Sequence, residues 1–293
     1  MNFFRSLFGG SEEKPEEKKR EEDAKNFDVL KFDGVRAMRG GEMLYAIKCF
    51  SHALELKEDL EIRDYLSQAL IHNNELLPAF EQLQKLADAQ PDNQEIFIRM
   101  ANIAFMMEDY GAMADACEKA LLIDKENSLV QYLYARACIG QGDVVNAIAM
   151  LTKAIALKED YDDAYLLRGE TLLEMGDVEG ADEDARYLLG KVNDSEDVLL
   201  LKACIEAKKG NADEAISQYD KVIEANPFCL VAFKERGALR LQQGDKDGAE
   251  EDMKQVLELD PNKGADVSGE YSAEGVEEKM RKAYKANNPF GLG

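Results

Sequence analysis

Residues 230–263 read LVAFKERGALRLQQGDKDGAEEDMKQVLELDPNK, and this stretch decides the fold. It predicts two short amphipathic helices separated by a turn at Gly244. Pro261 ends the second helix, because proline cannot continue one. Gly237 and Ala249 fall where the two helices would cross, and small side chains at a crossing let helix backbones approach closely.

The same small residues recur about every 34 positions along the chain. In the second helix of each copy the position is occupied by Ala46, Ala79, Ala147, Ala181, Ala215 and Ala249, and by the larger Met113 in the third copy. In the first helix they are Gly34, Ser67, Ala101, Ala135, Gly169, Ala203 and Gly237. A turn glycine recurs as Gly41, Gly142, Gly176, Gly210 and Gly244. Seven copies in register make the repeat a strong signal.

This pattern of small, large and turn residues resembles the tetratricopeptide repeat family, whose unit is a helix–turn–helix of 34 residues. The resemblance implies an all-α fold, a right-handed superhelical solenoid of helix pairs. The seven repeats are residues 27–59, 60–93, 94–127, 128–161, 162–195, 196–229 and 230–263. Arg63 and Gln131 replace the large apolar residue near the start of a repeat, so repeats 2 and 4 are expected to pack less tightly there.

Residues 1–26 are predicted to be a flexible charged tail with an aromatic tip at Asn2–Phe8. Ser11–Lys25 has too few apolar residues to form a core and is either a flexible linker or a frayed helix. The tip is a disordered end, a docking motif or a weak membrane contact. Docking is favoured over membrane contact, because the single Arg5 offers little attraction to anionic lipid.

Residues 264–293 are predicted to contain a polar linker, a helix and a frayed end. The helix covers about Ser272–Ala286 and has Val276, Met280, Ala283 and Tyr284 on one face. Such a helix is expected to cap the apolar face of the last repeat.

The net charge of the chain limits the classes of partner that it can bind. The formal net charge is −23, and the repeats contain nearly all of it. Such an acidic surface repels phosphate backbones, so nucleic acid is excluded as a predicted partner. The five cysteines are scattered without a CxxC pair or a secretory signal, which indicates a reducing compartment. No apolar run reaches the length of a membrane span, and the predicted location is cytoplasmic.

No catalytic, metal or cofactor motif stands out. His52 and His72 are too few and wrongly spaced for a zinc site, and phosphate-binding loops and nucleophile elbows are absent. Cys204 is expected on the inner face, but no basic residue lies beside it in sequence, which favours an inert thiol. The sequence therefore predicts that the protein is not an enzyme and needs no cofactor.

The family resemblance implies a partner-binding groove on the inner face, formed by the first helix of each repeat. Read at the family's inner-face positions, the groove residues are Ile98, Arg99, Asn102, Phe105, Tyr132, Leu133, Arg136, Leu166, Leu167, Glu170, Leu200 and Leu201. About half of the apolar ones are expected to pack against the adjacent repeat. Tyr132, Arg136 and Phe105 are the predicted anchors, because hot spots are typically central, aromatic or arginine.

One subtype of the family binds terminal carboxylates through a clamp of lysines, asparagines and an arginine. The matching positions of the first three repeats are occupied by Lys31, Val35, Tyr65, Glu95 and Arg99. Only the first and last match, so the clamp is absent.

The leading interpretation is a non-enzymatic adaptor that holds an extended or helical segment of a protein partner in its groove. The alternative is an assembly scaffold that associates through its outer face or its ends. The sequence leaves the partner's identity and the oligomeric state open.

Overall fold

The computed structural model describes residues 15–191 and 195–260, and within them the chain forms fourteen helices and no strand. The helices are α1 (Pro15–Arg39), α2 (Met43–Leu56), α3 (Leu60–His72), α4 (Leu76–Ala89), α5 (Gln94–Met106), α6 (Tyr110–Ile123), α7 (Ser128–Gly140), α8 (Val144–Leu157), α9 (Asp162–Met175), α10 (Val178–Leu189), α11 (Glu196–Lys208), α12 (Ala212–Ala225), α13 (Leu230–Gln242) and α14 (Lys246–Leu259). Fourteen helices fit seven repeats, and the predicted all-α class is confirmed.

The chain divides into two compact bodies, Met1–Gln141 and Gly142–Gly293. In the N-terminal body α1 packs on α2, α3 on α4 and α5 on α6, and α7 packs on α6. In the C-terminal body α8 packs on α9, and the pairs α9–α10, α11–α12 and α13–α14 form helical hairpins.

Aspartates that follow the turns cap the N-termini of several of the second helices. The side chain of Asp109 accepts a hydrogen bond from the backbone N–H of Ala112 at 2.9 Å, and Asp177 does the same for Gly180 at 3.0 Å. Asp143 and Asp245 cap α8 and α14 in the same way. Each cap satisfies a backbone donor that the first turn of a helix leaves without a partner.

The small residues at the helix crossings are buried, as predicted. All seven second-helix residues of this set, from Ala46 to Ala249, have no exposed surface. A Cβ atom added at Gly34 would lie 2.5 Å from the ring of Phe50, and one at Gly169 would lie 2.9 Å from Leu201. The crossings therefore leave no room for a larger side chain at these glycines.

The first helix begins earlier than the repeat boundaries predict. α1 starts at Pro15 rather than near Phe27, so residues 15–26 are helical, which is the second of the two alternatives predicted for this stretch. Glutamate four positions before lysine, as in Glu21 and Lys25, supports such a charged helix. The aromatic tip and the predicted capping helix at 272–286 lie outside the described residues.

Two sequence expectations about repeat starts need correction. Arg63 and Gln131 are 8% and 1% exposed, so both starts are closely packed despite the polar side chains. The guanidinium of Arg63 donates to Glu58 and Gln82, which explains how a charged group is accommodated there. None of the helices in the described part of the chain is both long and apolar enough to cross a lipid bilayer.

Candidate protein-binding face

The first helices of the repeats form one side of each body, called here the first-helix face. Neighbouring first helices contact one another: α1 contacts α3, α5 contacts α7, and α9 contacts α11. No two second helices are in contact as extensively as these pairs. The first-helix face is therefore the narrower side of each body, which is the side where a groove for a ligand segment can form.

An aromatic and cationic cluster lies on the first-helix face of the N-terminal body. The guanidinium of Arg136 on α7 stacks over the ring of Phe105 on α5, 3.6 Å from its centroid, and lies 5.8 Å from the ring of Tyr132. All three side chains are half-buried. Among the described residues Arg136 has no carboxylate partner. We call these three residues the aromatic–arginine cluster.

Arg99 has a different environment from Arg136. It forms an ion pair with Asp64 on α3, and its other terminal nitrogen donates to the hydroxyl of Ser67 at 2.6 Å. Ser67 in turn donates to the backbone carbonyl of Asp64 at 2.7 Å. Arg99 is thus engaged in joining α3 to α5. Nearby Asn102 is exposed.

Three of the predicted groove residues are not available to a partner. Ile98, Leu133 and Leu201 are 7%, 2% and 4% exposed and belong to the apolar cores. Their positions on the helix turn the side chains toward the neighbouring helix instead of the solvent. The predicted contact role of these three is therefore wrong, in line with the expectation that part of the set packs internally.

The C-terminal body presents a partly apolar first-helix face with carboxylates beside it. Leu166, Leu167 and Leu200 are half-buried, and Glu170 is exposed. Protein around the Glu170 carboxyl removes part of its water, which raises its pKa, and the charges of Asp197 and Glu174 raise it further.

A second carboxylate, Glu235 on α13, was not among the predicted residues. Desolvation raises its pKa, although Lys234 lies 3.5 Å away and acts in the opposite direction. Glu235 occupies an inner-face position of its repeat, so extending the same register beyond the middle repeats would have found it.

Cys204 on α11 is buried between these carboxylate-bearing helices. Its sulfur lies 3.5 Å from the hydroxyl of Tyr219, and burial raises the pKa of the thiol to about 11. A thiol protonated at neutral pH is a poor nucleophile. In residues 15–191 and 195–260, no group of three or more His, Cys, Asp or Glu side chains is arranged to hold a metal ion.

Two family models described as tetratricopeptide repeat match the chain, over residues 138–183 and 200–263. These ranges include all of α8, α9, α12, α13 and α14 and parts of α7, α10 and α11, where the hairpin geometry follows the 34-residue register.

Curated relatives share the repeats at low identity. DnaJ homolog subfamily C member 3 of Gallus gallus is 25% identical over 214 residues, which cover 64% of this chain and 42% of the relative. The Mus musculus protein of the same name is 29% identical over 168 residues, or 51% of this chain and 33% of the relative. The chain thus matches less than half the length of these relatives.

Solved structures share the fold at still lower identity. A tetratricopeptide repeat protein from Parabacteroides merdae ATCC 43184 superposes with a TM-score of 0.66, at 14% identity, over 88% of this chain and 99% of that one. PilW, a type IV pilus biogenesis factor, gives a TM-score of 0.62 at 15% identity, over 76% and 98%. The two family models identify tetratricopeptide repeats over residues 138–183 and 200–263, and the solved structures share the fold of helical hairpins.

Proposed function

We propose that the protein is a non-enzymatic adaptor that binds an extended or helical segment of a protein partner on its first-helix faces. The family supports a protein-interaction role in general. The observation that favours the first-helix face is the aromatic–arginine cluster, which combines half-exposed rings with a guanidinium that has no carboxylate partner in the described part of the chain. Although the chain has a net charge of −23, the guanidinium of Arg136 can bind an acidic group of a partner.

The cluster has the composition of a binding hot spot. Tyrosine and arginine dominate hot spots because they bury large areas and also donate hydrogen bonds. Phe105 fixes the orientation of Arg136 before a partner arrives, which reduces the entropy lost on binding. A partner segment is thus expected to place an apolar side chain on the rings and an acidic group against Arg136.

The test is the double replacement of Tyr132 and Arg136 by alanine in the full chain. Loss of both anchors should weaken partner binding by about 2 kcal/mol or more. The thermal stability should fall by no more than about 2 kcal/mol, the upper end of the range for a cation–π contact that is partly removed from water. Quantitative pull-downs from lysate of the source cells identify the partner, and titration with its purified segment gives the affinity.

The matched control replaces Tyr45 and Arg186, an exposed tyrosine and an exposed arginine on second helices. This control variant should keep the wild-type affinity. If the Tyr132/Arg136 variant melts early while its binding per folded molecule is unchanged, the cluster belongs to the core and the proposal is wrong.

A scaffold role is the second candidate, and exposed apolar residues on second helices favour it. In the N-terminal body Leu44, Leu77 and Leu122 are 63%, 62% and 79% exposed. Leu122 also borders a groove of about 830 Å³ between the ends of α4 and α6. Exposed apolar patches commonly mark interfaces. Sedimentation distinguishes the candidates: a monomer that binds a partner segment supports the adaptor, and a stable oligomer disrupted by Leu77→Asp supports the scaffold.

A further inference from the structure

The first helix presents an apolar surface that no described part of the chain covers. Val29 and Phe32, one turn apart on α1, are 58% and 67% exposed. Arg36 follows one turn later and is also exposed, and its guanidinium lies 5.9 Å from the centroid of the Phe32 ring. Residues at this spacing lie on one side of a helix. We call Val29, Phe32 and Arg36 the leading face of α1.

The position of Val29 is buried in every later repeat. The six equivalent residues are at most 4% exposed: Ile62, Ile96, Val130, Ala164, Val198 and Ala232. Like the later first helices, α1 packs against the second helix of its own repeat, so that contact does not explain the difference.

The preceding repeat explains the difference in exposure. Each later first helix also packs against the second helix before it, as α3 does on α2 and α13 on α12. α1 is the first helix in the described part of the chain, so no described helix takes this place. Val29 therefore occupies a core position of the repeat without the cover that this position has elsewhere.

The aromatic tip, residues 2–8, has the composition that such a cover needs. Four of its seven residues are large and apolar, namely Phe3, Phe4, Leu7 and Phe8. Their spacing is that of one side of a helix, with Arg5 and Ser6 on the other side. Residues 9–14 contain no large apolar residue, so within residues 2–14 only the tip can cover an apolar face.

The tip can reach the leading face of its own chain. Seven peptide units join Phe8 to Pro15, and they span at most about 25 Å when extended. Val29 and Phe32 lie about 21 and 25 Å along the helix axis from Pro15. Phe8 can therefore reach Val29, and the rest of the tip can extend toward Phe32 and Arg36.

We propose that residues 2–8 fold back onto the leading face of α1 in the same chain, with Leu7 and Phe8 on Val29 and Phe32. The tip takes the place that a preceding second helix has in the later repeats. Removal of these apolar side chains from water drives the contact. The tether of residues 9–14 favours the same chain over a second copy, because it keeps the tip at a high effective concentration near the face. This contact is separate from the adaptor role and does not depend on it.

Cysteine cross-linking in the full chain tests the contact. Phe8→Cys is combined with Val29→Cys, and added oxidised glutathione accepts the two electrons released when the disulfide forms. The five native cysteines are buried and do not compete. The matched control combines Phe8→Cys with Asp28→Cys. Asp28 adjoins Val29, so the tether reaches both positions equally, but the position of Asp28 is exposed in all seven repeats. The Val29 pair should close at least tenfold faster than the Asp28 pair.

A charge placed in the tip tests whether the contact is apolar. Leu7→Asp, added to the chain with the Phe8–Val29 cysteine pair, should slow disulfide closure fivefold or more, because it puts a carboxylate against the leading face. Ser6→Asp introduces the same charge on the other side of the tip and should slow closure less than twofold.

Mixing isotopically labelled and unlabelled chains before oxidation shows which chain supplies the tip. Mass spectrometry should find disulfides within one chain. Disulfides between labelled and unlabelled chains would show that a second copy covers the leading face, and the proposal would be wrong. Equal closure rates for the Val29 and Asp28 pairs would also overturn it, since proximity through the tether would then be sufficient. So would equal effects of Leu7→Asp and Ser6→Asp.

Discussion

At the scale of single residues, every repeat contains one residue in the left-handed backbone conformation at its helix–helix turn. Five of the seven are glycines, and the other two are Asn74 and Glu108, with φ of 60° and 57°. Glycine adopts this conformation without strain, and asparagine tolerates it better than most residues. Glu108 is therefore the residue least suited to its turn.

Replacing Glu108 by glycine should stabilise the protein by about 0.5–1 kcal/mol. Glycine relieves the backbone strain of the left-handed conformation in the folded state, and this gain exceeds the loss caused by the greater backbone freedom of glycine in the unfolded state. Glu108 is exposed, and its side chain makes no hydrogen bond or ion pair among the described residues that the change would remove. Urea denaturation measures the effect.

The matched control is Gly142→Ala, at the equivalent turn one repeat later. A Cβ there would meet open space, so any loss of stability comes from the backbone alone. The alanine variant should be destabilised by about 1 kcal/mol. If Glu108→Gly lowers stability as well, the turn of repeat 3 is not strained.

Gln131 and Arg63 occupy equivalent positions, yet only one of them has its polar groups satisfied. The amide nitrogen of Gln131 donates to the carbonyl of Lys125 at 3.2 Å, but its buried side-chain oxygen has no hydrogen-bond partner. The guanidinium of Arg63 is satisfied by Glu58 and Gln82. A buried acceptor without a partner destabilises the folded state.

Gln131→Met should therefore raise the free energy of unfolding by about 1 kcal/mol, since methionine has a similar shape and no unpaired oxygen. Arg63→Met should lower it by about 0.5–1.5 kcal/mol, the net contribution of hydrogen bonds whose partner Glu58 remains exposed to water. Chemical denaturation of both variants tests the pair. Destabilisation by both replacements would contradict the account of Gln131.

At the scale of helices, charged side chains join α10 to α11. Lys202 and Lys209 reach Asp182 at 2.7 and 2.8 Å, and Asp182 is 6% exposed. Desolvation alone would raise the pKa of Asp182, but hydrogen bonds from the two lysines outweigh it and hold the pKa at about 2.

This depressed pKa makes the α10–α11 contact sensitive to acid. The unfolded chain takes up a proton at this aspartate near its ordinary pKa of about 4, whereas the folded protein does so only near 2. The stabilisation is fully present above about pH 4 and is lost as the pH falls toward 2. Asp182→Asn should be less stable than the wild type by about 2 kcal/mol at pH 7, with the difference shrinking over this window.

The measurement is urea denaturation of both proteins from pH 7 downward. Asp115→Asn on α6 is the matched control, because Asp115 is exposed and makes no ion pair among the described residues. It should change the free energy of unfolding by less than about 0.5 kcal/mol. A difference for Asp182→Asn that does not vary with pH would show that packing, and not charge, determines its effect.

At the scale of the whole molecule, the net charge of −23 disfavours the compact state through self-repulsion. Salt shortens the screening length from about 30 Å at 0.01 M to about 3 Å at 1 M. We therefore expect the melting temperature to rise when sodium chloride is added, as measured by circular dichroism. Potassium chloride should give the same shift at equal ionic strength, and a fall in melting temperature would show that ion pairs outweigh the repulsion.

The sequence by itself determined the helix pairs, their 34-residue register and the small residues at the crossings. These features depend on interactions between residues close in the chain and between adjacent repeats, and such interactions recur with the period. The left-handed turns at Asn74 and Glu108 were missed because neither is glycine, although the register of the neighbouring turns points to both.

Only the tertiary structure decided which first-helix residues a partner can reach. Leu133 is buried and Tyr132 is half-exposed, although they are neighbours in sequence. Arg99 is engaged by Asp64 from the preceding repeat, while Arg136 stacks on Phe105 and has no carboxylate partner within residues 15–191 and 195–260. Exposure depends on the rotation of each helix against its neighbours and on which side chains the adjacent repeat supplies. A periodic pattern in the sequence specifies neither.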